Sequence, residues 1–445
     1  MSRSPTPRRR NSARTRSARQ GPYVPERAIL SGDRVVLTHT KVDDRSARDM
    51  IHVATQAHQA GVPGLTFDFS RATRAYPEGM VQLIGHVEYL RATGMHFDVI
   101  PPSERNLARL FGNCNWLNFL APTMFDSQPP TDTHLPVQRF VDATEQADVV
   151  NQMVEMTLRQ LELERPVIGG IEWALNEITD NVLNHADAPS GGVAQLQTFP
   201  EAGRIQIAVA DTGRGILSSM KEGFPSLRSD IDAIAQAMKQ GVTRSAAVGQ
   251  GNGLAGALRL AEAANGSFTL ISGQGEVKVI RPPRAREHRH QSFRRPGAQR
   301  FYGTFIFLEL RTDSALDLEA ALDFGGGGGI LWDYLDANYS ANDGAVRLVV
   351  ADEVVGVGSR QAGNGLRTKI KNLLAADPGS AVVLDWTGIE IPSSSFADEV
   401  VGRLYVELGP LAFNRRIQLE NLAPGPRRIV ERVMLQRAAQ ALKET

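Results

Sequence analysis

The segment Glu172–Asp187 (EWALNEITDNVLNHAD) carries two stripes of helical period, one apolar and one polar. The apolar stripe advances in steps of four, three and four residues and consists of Ile171, Leu175, Ile178 and Val182. The polar stripe advances in steps of four residues and consists of Glu177, Asn181 and His185. This spacing predicts a helix with one face in a core and a polar row beside that face, at the rim of a cleft.

Glu177 and Asn181 are the residues of the polar row that can carry chemistry. A carboxylate can orient or deprotonate a nucleophile, and an amide oxygen suits Mg²⁺. The same two residues are also compatible with a half-exposed helix that ends in a capping asparagine. The row alone therefore leaves both interpretations open.

Two glycine-containing segments follow this helix. Arg204–Asp211 (RIQIAVAD) alternates as a strand does and runs into Thr212-Gly213-Arg214-Gly215. Further on, Gly249-Gln250-Gly251-Asn252-Gly253 leads into a helical pattern. Backbone amides in such a loop can approach a polyphosphate, and the following helix N-terminus adds its dipole. Each segment taken alone also fits an ordinary turn or loop.

Together and in this order, the three segments resemble the N-box, G1 box and G2 box of the GHKL ATP-binding family. This family includes gyrase, the heat-shock chaperones, histidine kinases and MutL. The resemblance covers roughly residues 143–311, and NEITDNVLNHA is similar to the corresponding helix of anti-sigma serine kinases and histidine-kinase ATP domains. It implies a domain that binds ATP together with Mg²⁺.

The resemblance also implies a role for individual residues. Glu177 is the expected catalytic residue, which orients water or an incoming hydroxyl, and Asn181 is the expected Mg²⁺ ligand. Asp211 is expected to accept the adenine amino group, a buried charge-assisted contact. Thr304 matches the late Gly-Thr of the family at the adenine end, and Arg244 is placed to reach a phosphate. The lid and the phosphate loop are shaped by Gly213, Gly215, Gly249, Gly251 and Gly253.

A strand–helix–strand pattern precedes the ATPase segment, and a related pattern follows it. The first consists of a strand at Gly64–Ser70, a helix at Gly79–Thr93 and a strand at Met95–Ile100, most economically a parallel pair. The second has strands at Ser380–Thr387 and Arg416–Leu419. Both resemble STAS domains, the anti-anti-sigma fold, whose motif is a strand ending in Asp-Phe-Ser before a loop with a phosphoacceptor serine.

The two copies depart from that motif in the loop. Pro392 stands where the aspartate of the motif would be and is followed by Ser393, Ser394 and Ser395. The first copy has Pro77-Glu78-Gly79 and no serine at this place. The three serines are therefore either phosphoacceptors or caps of the next helix.

The expected fold class is α/β and multidomain. A central GHKL-type α/β sandwich, with a mixed sheet and helices on one face, lies between two small STAS-like α/β domains. The glycine run at Asp323–Gly329 predicts a flexible connector that decouples the ATPase from the second STAS-like domain. The expected domains are a disordered basic tail (1–27), a STAS-like domain (28–140), the ATP-binding domain (141–312), a linker (313–345) and a STAS-like domain (346–445).

The composition narrows the range of partners and of cellular compartments. The 49 basic and 49 acidic residues balance, so no overall field points to nucleic acid or to an anionic membrane. The single cysteine, Cys114, excludes an internal disulfide framework and favours a reducing compartment. No apolar run approaches the ~20 residues that a membrane span needs. We therefore expect a soluble, cytoplasmic protein with no membrane partner.

Three classes of function remain open. The first is an enzyme that hydrolyses ATP or transfers its phosphate to a protein, in the manner of a serine kinase. The second is an ATP-dependent switch that binds regulatory proteins through its STAS-like ends, with a homodimer left open. The third is an ATP-gated factor that contacts nucleic acid through the arginine-rich tail and Arg281–Arg300, the latter expected to be a long hairpin loop.

Two observations favour some of these functions over others. None of the nine histidines lies in a phosphoacceptor H-box, and no long dimerisation hairpin precedes the ATP-binding segment, which disfavours a complete histidine kinase. Glu177 favours chemistry over binding alone, because holding ATP and Mg²⁺ does not require this carboxylate.

Overall fold

A computed structural model of the 445-residue chain describes residues 24–131, 135–239, 253–280, 289–294, 300–313, 335, 338–339 and 345–444. The helices and strands of these residues form an N-terminal unit (24–131), a central unit (within 135–313) and a C-terminal unit (345–444). No helix in the described ranges is long and apolar enough to cross a membrane.

The N-terminal unit is a sheet with helices between its parallel strands. Its strands are β1 (Ala28–Ser31), β2 (Arg34–Leu37), β3 (Lys41–Val42), β4 (Gly64–Asp68), β5 (Arg74–Ala75) and β6 (His96–Ile100). Its helices are α1 (Asp44–Gln59), α2 (Pro77–Ala92), α3 (Arg105–Asn113) and α4 (Trp116–Leu120). The main sheet has the order β1-β2-β4-β6, and β2, β4 and β6 run parallel, as the sequence predicts for β4 and β6.

Local signals place the two long helices of this unit. The Asp43 carboxylate accepts the Ser46 N–H at 3.1 Å and so begins α1. Pro77 stands in the first turn of α2, where its missing N–H has no partner to lose. The predicted start of α2 at Gly79 is therefore two residues late.

The central unit contains the polar row and the strand that ends at Asp211. Its strands are β7 (Gln138–Phe140), β8 (Gly192–Phe199), β9 (Arg204–Asp211), β10 (Ser267–Gly273), β11 (Gly275–Ile280), β12 (Arg289–Arg294) and β13 (Phe301–Arg311). Its helices are α5 (Ala143–Gln160), α6 (Arg165–Asn181), α7 (Gly215–Met220), α8 (Asp230–Ala237) and α9 (Gly253–Ala263). Among the described residues the strand order is β12-β11-β10-β13-β9-β8-β7.

This sheet differs in strand direction from the expected mixed sheet. Every pairing between its described strands is antiparallel. Short connections join β8 to β9 and β10 to β11, and such connections can only join antiparallel neighbours. The long β13 then returns between β9 and β10 and runs antiparallel to both. The α/β multidomain class itself is confirmed.

Both faces of the central sheet are covered. Helices α5, α6 and α9 pack on one face, as expected. Helix α2 of the N-terminal unit packs on the other face, against β8, β9 and β13. The sheet residues that share a core with the N-terminal unit are Val193, Ala208, Ala210, Ile271, Phe301, Phe305 and Phe307. The N-terminal unit is thus the second cover of the sheet and not a separate body.

The C-terminal unit is a parallel sheet with helical crossovers. Its strands β14 (Ala345–Val349), β15 (Ala381–Asp385) and β16 (Ile417–Glu420) run parallel in that order. Its helices are α10 (Val350–Glu353), α11 (Arg360–Ala376), α12 (Ser394–Ala397), α13 (Arg403–Leu408), α14 (Pro410–Arg416) and α15 (Pro424–Glu444). A π-helical turn, Asp398–Gly402, joins α12 to α13.

The C-terminal unit is docked on the central unit, which differs from the expected decoupling. Helix α11 packs along α5, and the buried Lys369 ammonium lies 2.6 Å from the carboxylates of Glu155 and Glu353. The glycine run at Asp323–Gly329 lies outside the described residues. The contacts of Lys369 fix α11 against α5.

The arginine-rich segments are described in part. Residues 1–23 of the basic tail lie outside the described residues, and the backbone N–H groups of Glu26 and Arg27 donate to the Asp49 carboxylate. Within Arg281–Arg300, expected to be a hairpin loop, residues 289–294 form β12. That segment therefore extends the sheet by one strand.

Candidate functional site

Helix α6 presents Glu177 and Asn181 of the polar row as the sequence predicts, whereas His185 lies in the π-helical turn after the helix. Its apolar stripe is buried, with Leu175 and Ile178 at 0 % exposure. Glu177 and Asn181 are half-buried beside that stripe. The Asn181 Nδ2 donates to the Glu177 carbonyl oxygen at 2.7 Å, which leaves the amide oxygen of Asn181 as the group that can accept a ligand.

The end of this helix is tied to the loop that follows β9. After Asn181 the chain passes through a π-helical turn, Val182–Ala186, a feature that is frequent at functional sites. The Ala186 carbonyl accepts the Arg214 N–H at 2.8 Å, and the His185 carbonyl accepts the Arg214 Nε–H at 3.2 Å. The polar row and the Asp211–Gly215 loop therefore form one structure.

Asp211 ends β9 in a buried position, at 4 % exposure. Burial raises the pKa of its carboxyl group to about 7, although hydrogen bonds from Gly213 and Thr304 act in the opposite direction. The Gly213 N–H donates to Asp211 Oδ1 at 2.8 Å. A buried carboxylate of this kind gains from a further hydrogen-bond donor, such as an exocyclic amino group.

Two glycines are required by close approach. A Cβ at Gly213 would overlap the carbonyl oxygen of Ala186, so this residue allows the loop after β9 to reach the π-helical turn. A Cβ at Gly253 would overlap Glu177 Oε2 and lie 3.4 Å from Asn181 Nδ2. The N-terminus of α9 therefore runs directly beside the polar row.

Glu177 lies in surroundings that favour its protonated form. Burial raises the pKa of its carboxyl group, and the negative charge of Asp180 raises it further. A carboxylate with a raised pKa is closer to the value at which a general base works near neutral pH. The position thus fits proton transfer or the orientation of a nucleophile.

Sequence reasoning missed Ser272, on β10. Its hydroxyl accepts the Ile216 N–H at 2.9 Å and donates to the Gly303 carbonyl oxygen at 2.9 Å. Gly215, with φ of +75°, lies beside it and begins α7. Ser272 therefore holds the start of α7 against β13, next to Thr304. The available signal was a lone serine near the end of an apolar strand.

The predicted residues fall into two groups. One contains Glu177, Asn181 and Gly253, and the other contains Asp211, Gly213, Gly215 and Thr304. Gly249, Gly251 and Arg244 lie outside the described residues. Within the described part of the chain, no group of three or more His, Cys, Asp and Glu side chains could hold a metal ion. Mg²⁺ is commonly held by one or two protein oxygens together with substrate phosphates, and Asn181 supplies such an oxygen.

The serines of the C-terminal unit begin a helix. Ser393 Oγ accepts the Phe396 N–H at 3.0 Å and caps α12, which confirms the capping interpretation for this residue. The Ser393 N–H donates to the Val357 carbonyl oxygen at 2.9 Å. Ser394 is exposed. Whether these hydroxyls also accept phosphate stays a prediction.

Comparison with known families agrees with this geometry. Residues 168–286 match the family of histidine kinase-, DNA gyrase B- and HSP90-like ATPases, and residues 362–425 match a STAS-like domain of unknown function. A search of curated proteins found no match. The STAS-like identity of the N-terminal unit stays a prediction. The chain therefore contains a GHKL-type ATPase domain at residues 168–286, followed by a STAS-like domain at residues 362–425.

Proposed function

We propose that this chain binds Mg-ATP, hydrolyses it or transfers its phosphate, and acts as a regulatory switch on partner proteins. The observation that carries the proposal is that the loop after Asp211 is hydrogen-bonded to the turn after the Glu177–Asn181 row, inside a GHKL-type domain. The buried carboxylate of Asp211 suits the amino group of an adenine base, and the row beside the α9 N-terminus suits phosphates.

Each residue has a distinct task in this proposal. Asp211 accepts the adenine amino hydrogen, and Thr304 holds the Asp211 carboxylate in place. Asn181 offers its amide oxygen to Mg²⁺, which neutralises phosphate charge when bound. Glu177 orients or deprotonates the attacking hydroxyl. Its raised pKa keeps the proton affinity of this base high enough to take up that proton.

The flanking units supply the partner contacts in this proposal. The topology of the N-terminal unit supports a second STAS-like domain, since β2, β4 and β6 repeat the parallel arrangement of β14, β15 and β16. The strand ends are also alike. Asp68 Oδ1 accepts the Ser70 N–H at 2.9 Å, and Asp385 Oδ1 accepts the Thr387 N–H at 3.0 Å.

Exposed apolar side chains favour a protein contact on the C-terminal unit. Val355 is 88 % exposed and Ile391 is 77 % exposed. The hydrogen bond from Ser393 to Val357 brings their two loops together. Exposed apolar groups on neighbouring loops favour association with another protein surface.

The decisive experiment separates binding from chemistry. We expect Glu177→Gln to bind Mg-ATP with the wild-type affinity but to release phosphate at least about 100-fold more slowly, because a positioned base is lost. Isothermal calorimetry measures the affinity, and a phosphate-release assay measures the rate.

Asp180→Asn is the matched control, one residue away on α6. It leaves Glu177 in place and lowers the pKa of that carboxyl group, so turnover should persist with a pH profile displaced to lower pH. Equal rates for wild type and Glu177→Gln would contradict the enzymatic part of the proposal and leave an ATP-gated binding protein.

A further inference from the structure

We propose that the N-terminal unit positions the adenine end of the ATPase site, through Gly85, His86 and Tyr89 of α2. This inference rests on the proposed function, because it names the part of the protein that controls how tightly the ATP site binds adenine. These three residues contact β9 or β13, the strands that carry Asp211 and Thr304. They are not themselves part of the site.

The first contact lies directly behind Asp211. A Cβ at Gly85 would lie 2.7 Å from the Ala210 Cβ and 3.5 Å from the Phe301 ring. Ala210 is the residue before Asp211 and is 1 % exposed. Helix α2 therefore approaches the end of β9 as closely as a residue without a side chain permits.

The second contact lies behind Thr304. The Tyr89 ring stacks on the Tyr302 ring, with centroids 3.8 Å apart and planes inclined by 6°. Tyr302 is separated from Thr304 only by Gly303, where a Cβ would overlap the carbonyl oxygen of Asp211. A displacement of Tyr302 therefore reaches the hydrogen bonds between Thr304 and Asp211.

His86 links these contacts to the interior of the N-terminal unit. Its ring centroid lies 6.0 Å from that of Phe301 and 5.9 Å from that of Tyr302. Its Nε2 lies within hydrogen-bond distance of the Thr55 hydroxyl on α1, at 2.8 Å. The path from α1 through α2 to the adenine end is thus continuous.

Ion pairs fix the N-terminal unit to the same sheet at a second place. Arg48 of α1 donates two hydrogen bonds to the buried Glu276 carboxylate, at 2.7 and 2.8 Å. Lys278 of β11 lies 2.5 Å from Asp44. Because packed interiors are dense and transmit strain, a shift of α2 is passed on to β9 and β13.

The effect of such a shift is selective. Asp211 ends β9 and Thr304 lies near the start of β13, and α2 contacts both strands. The residues expected at the phosphates, Glu177, Asn181 and Gly253, belong to helices on the opposite face of the sheet. A change at α2 therefore alters the affinity for the adenine base and leaves the affinity for the phosphates in place.

Gly85→Ala tests the inference, since its new methyl group strikes the Ala210 methyl group. We expect Mg-ATP to bind about tenfold more weakly, the loss of roughly one buried hydrogen bond. Mg-tripolyphosphate, which lacks the base, should bind as it does to wild type. Adding Ala210→Gly to Gly85→Ala removes the struck methyl group and should restore ATP affinity.

Three further variants separate a specific effect at the adenine end from a general loss of stability. Gly363→Ala crowds the C-terminal unit to a similar degree, with its Cβ 2.9 Å from the Glu399 Cβ, and should lower the melting temperature without changing ATP affinity. Tyr89→Leu breaks the stack on Tyr302 and should weaken ATP binding, whereas Tyr89→Phe keeps the ring and should not.

The outcomes are distinguishable. Wild-type protein that does not bind Mg-ATP overturns the proposed function and this inference with it. If the wild type binds, ATP affinity that is unchanged in both Gly85→Ala and Tyr89→Leu overturns the inference alone. Equal weakening of ATP and tripolyphosphate binding also overturns it, because the effect would then not be confined to the adenine end.

Discussion

The carboxyl group of Asp211 has surroundings in which its charge is costly. Its place at a strand end before Gly213 was visible in the sequence, because apolar alternation followed by Asp and Gly is a local pattern. Only the family resemblance placed Thr304 at the same end of the site, and its hydrogen bonds to Asp211 were not predicted. Ser272 was missed because its partners, Ile216 and Gly303, lie on other elements and leave no trace in the residues around it.

The raised pKa of Asp211 predicts a pH-dependent affinity for ATP. In the proposed function the ionised carboxylate accepts the adenine amino hydrogen. The pKa of about 7 means that the ionised form is lost as the pH falls below neutrality. We expect Mg-ATP to bind more weakly at pH of about 6 than at about 8, measured by calorimetry. Asp211→Asn should bind more weakly by about 1.5–3 kcal/mol.

Asp211→Asn is also the control for the ligand, because the terminal phosphate of ATP itself titrates in this pH range. The pH dependence of affinity that comes from Asp211 is the difference between the affinity profiles of wild type and Asp211→Asn. Parallel profiles would show that this carboxyl group does not titrate on binding the base.

At the scale of elements, α11 shows how a docked helix can look solvated in sequence. Lys369 is 1 % exposed and Asn372 is 2 % exposed, yet residues of these types are ordinarily expected at the surface. Their burial depends on partners in α5 and the loop after it. The pKa of Glu155 is lowered to about 2, because its attraction to Lys369 and Arg159 outweighs the opposing effect of burial. Residue type alone therefore assigns this face of α11 to solvent.

Asn372→Ala is expected to destabilise the docking of α11. Its Nδ2 donates to the carbonyl oxygens of Leu158 and Leu161, at 2.8 and 2.7 Å, and its Oδ1 accepts the Leu163 N–H at 2.7 Å. The variant leaves three buried peptide groups without this partner, so the free energy of unfolding should fall by about 2–4 kcal/mol. Urea denaturation measures the change.

The matched control is Asn364→Ala, on the exposed side of the same helix. Asn364 accepts a hydrogen bond from Arg367, and its loss should change the free energy of unfolding by less than about 0.5 kcal/mol. Similar losses in the two variants would mean that Asn372 contributes no more than a surface asparagine.

For the whole molecule, the order of the units and their α/β character could be predicted from the sequence, but not the way they pack. One signal was present: the run Phe305–Leu308 is apolar at every position, which is consistent with a strand buried on both faces. The sequence could not predict that α2 covers the second face of the sheet. Helix α2 lies far from β13 in the chain, and no residue pattern in α2 indicates which strands it packs against.

The junction between the N-terminal unit and the sheet predicts a pH-dependent stability. Burial, with the charge of Asp44 adding to it, raises the pKa of Glu78 to about 8, although Lys278 opposes this. At a pH between 4.5 and about 8, Glu78 is therefore protonated in the folded protein and ionised in the unfolded chain. This contribution to stability is present at low pH and is lost as the pH rises between these two values.

Glu78→Gln replaces the titrating group with a neutral amide of similar shape. We expect the variant to lose less stability than wild type as the pH is raised from about 5 to about 8, measured by thermal unfolding. An unchanged difference between wild type and variant across this range would show that Glu78 keeps its usual acidity in the folded protein.

The double cover of the central sheet has a consequence for related genes. A chain that keeps this ATPase but has lost the N-terminal unit exposes a surface that includes Val193, Ala208, Phe305 and Phe307. Such a chain has to carry polar substitutions there or recruit a separately encoded subunit to replace α2. In an alignment of related chains, apolar residues at these positions should therefore accompany the N-terminal unit. Polar residues there should mark chains in which the ATPase domain occurs without it.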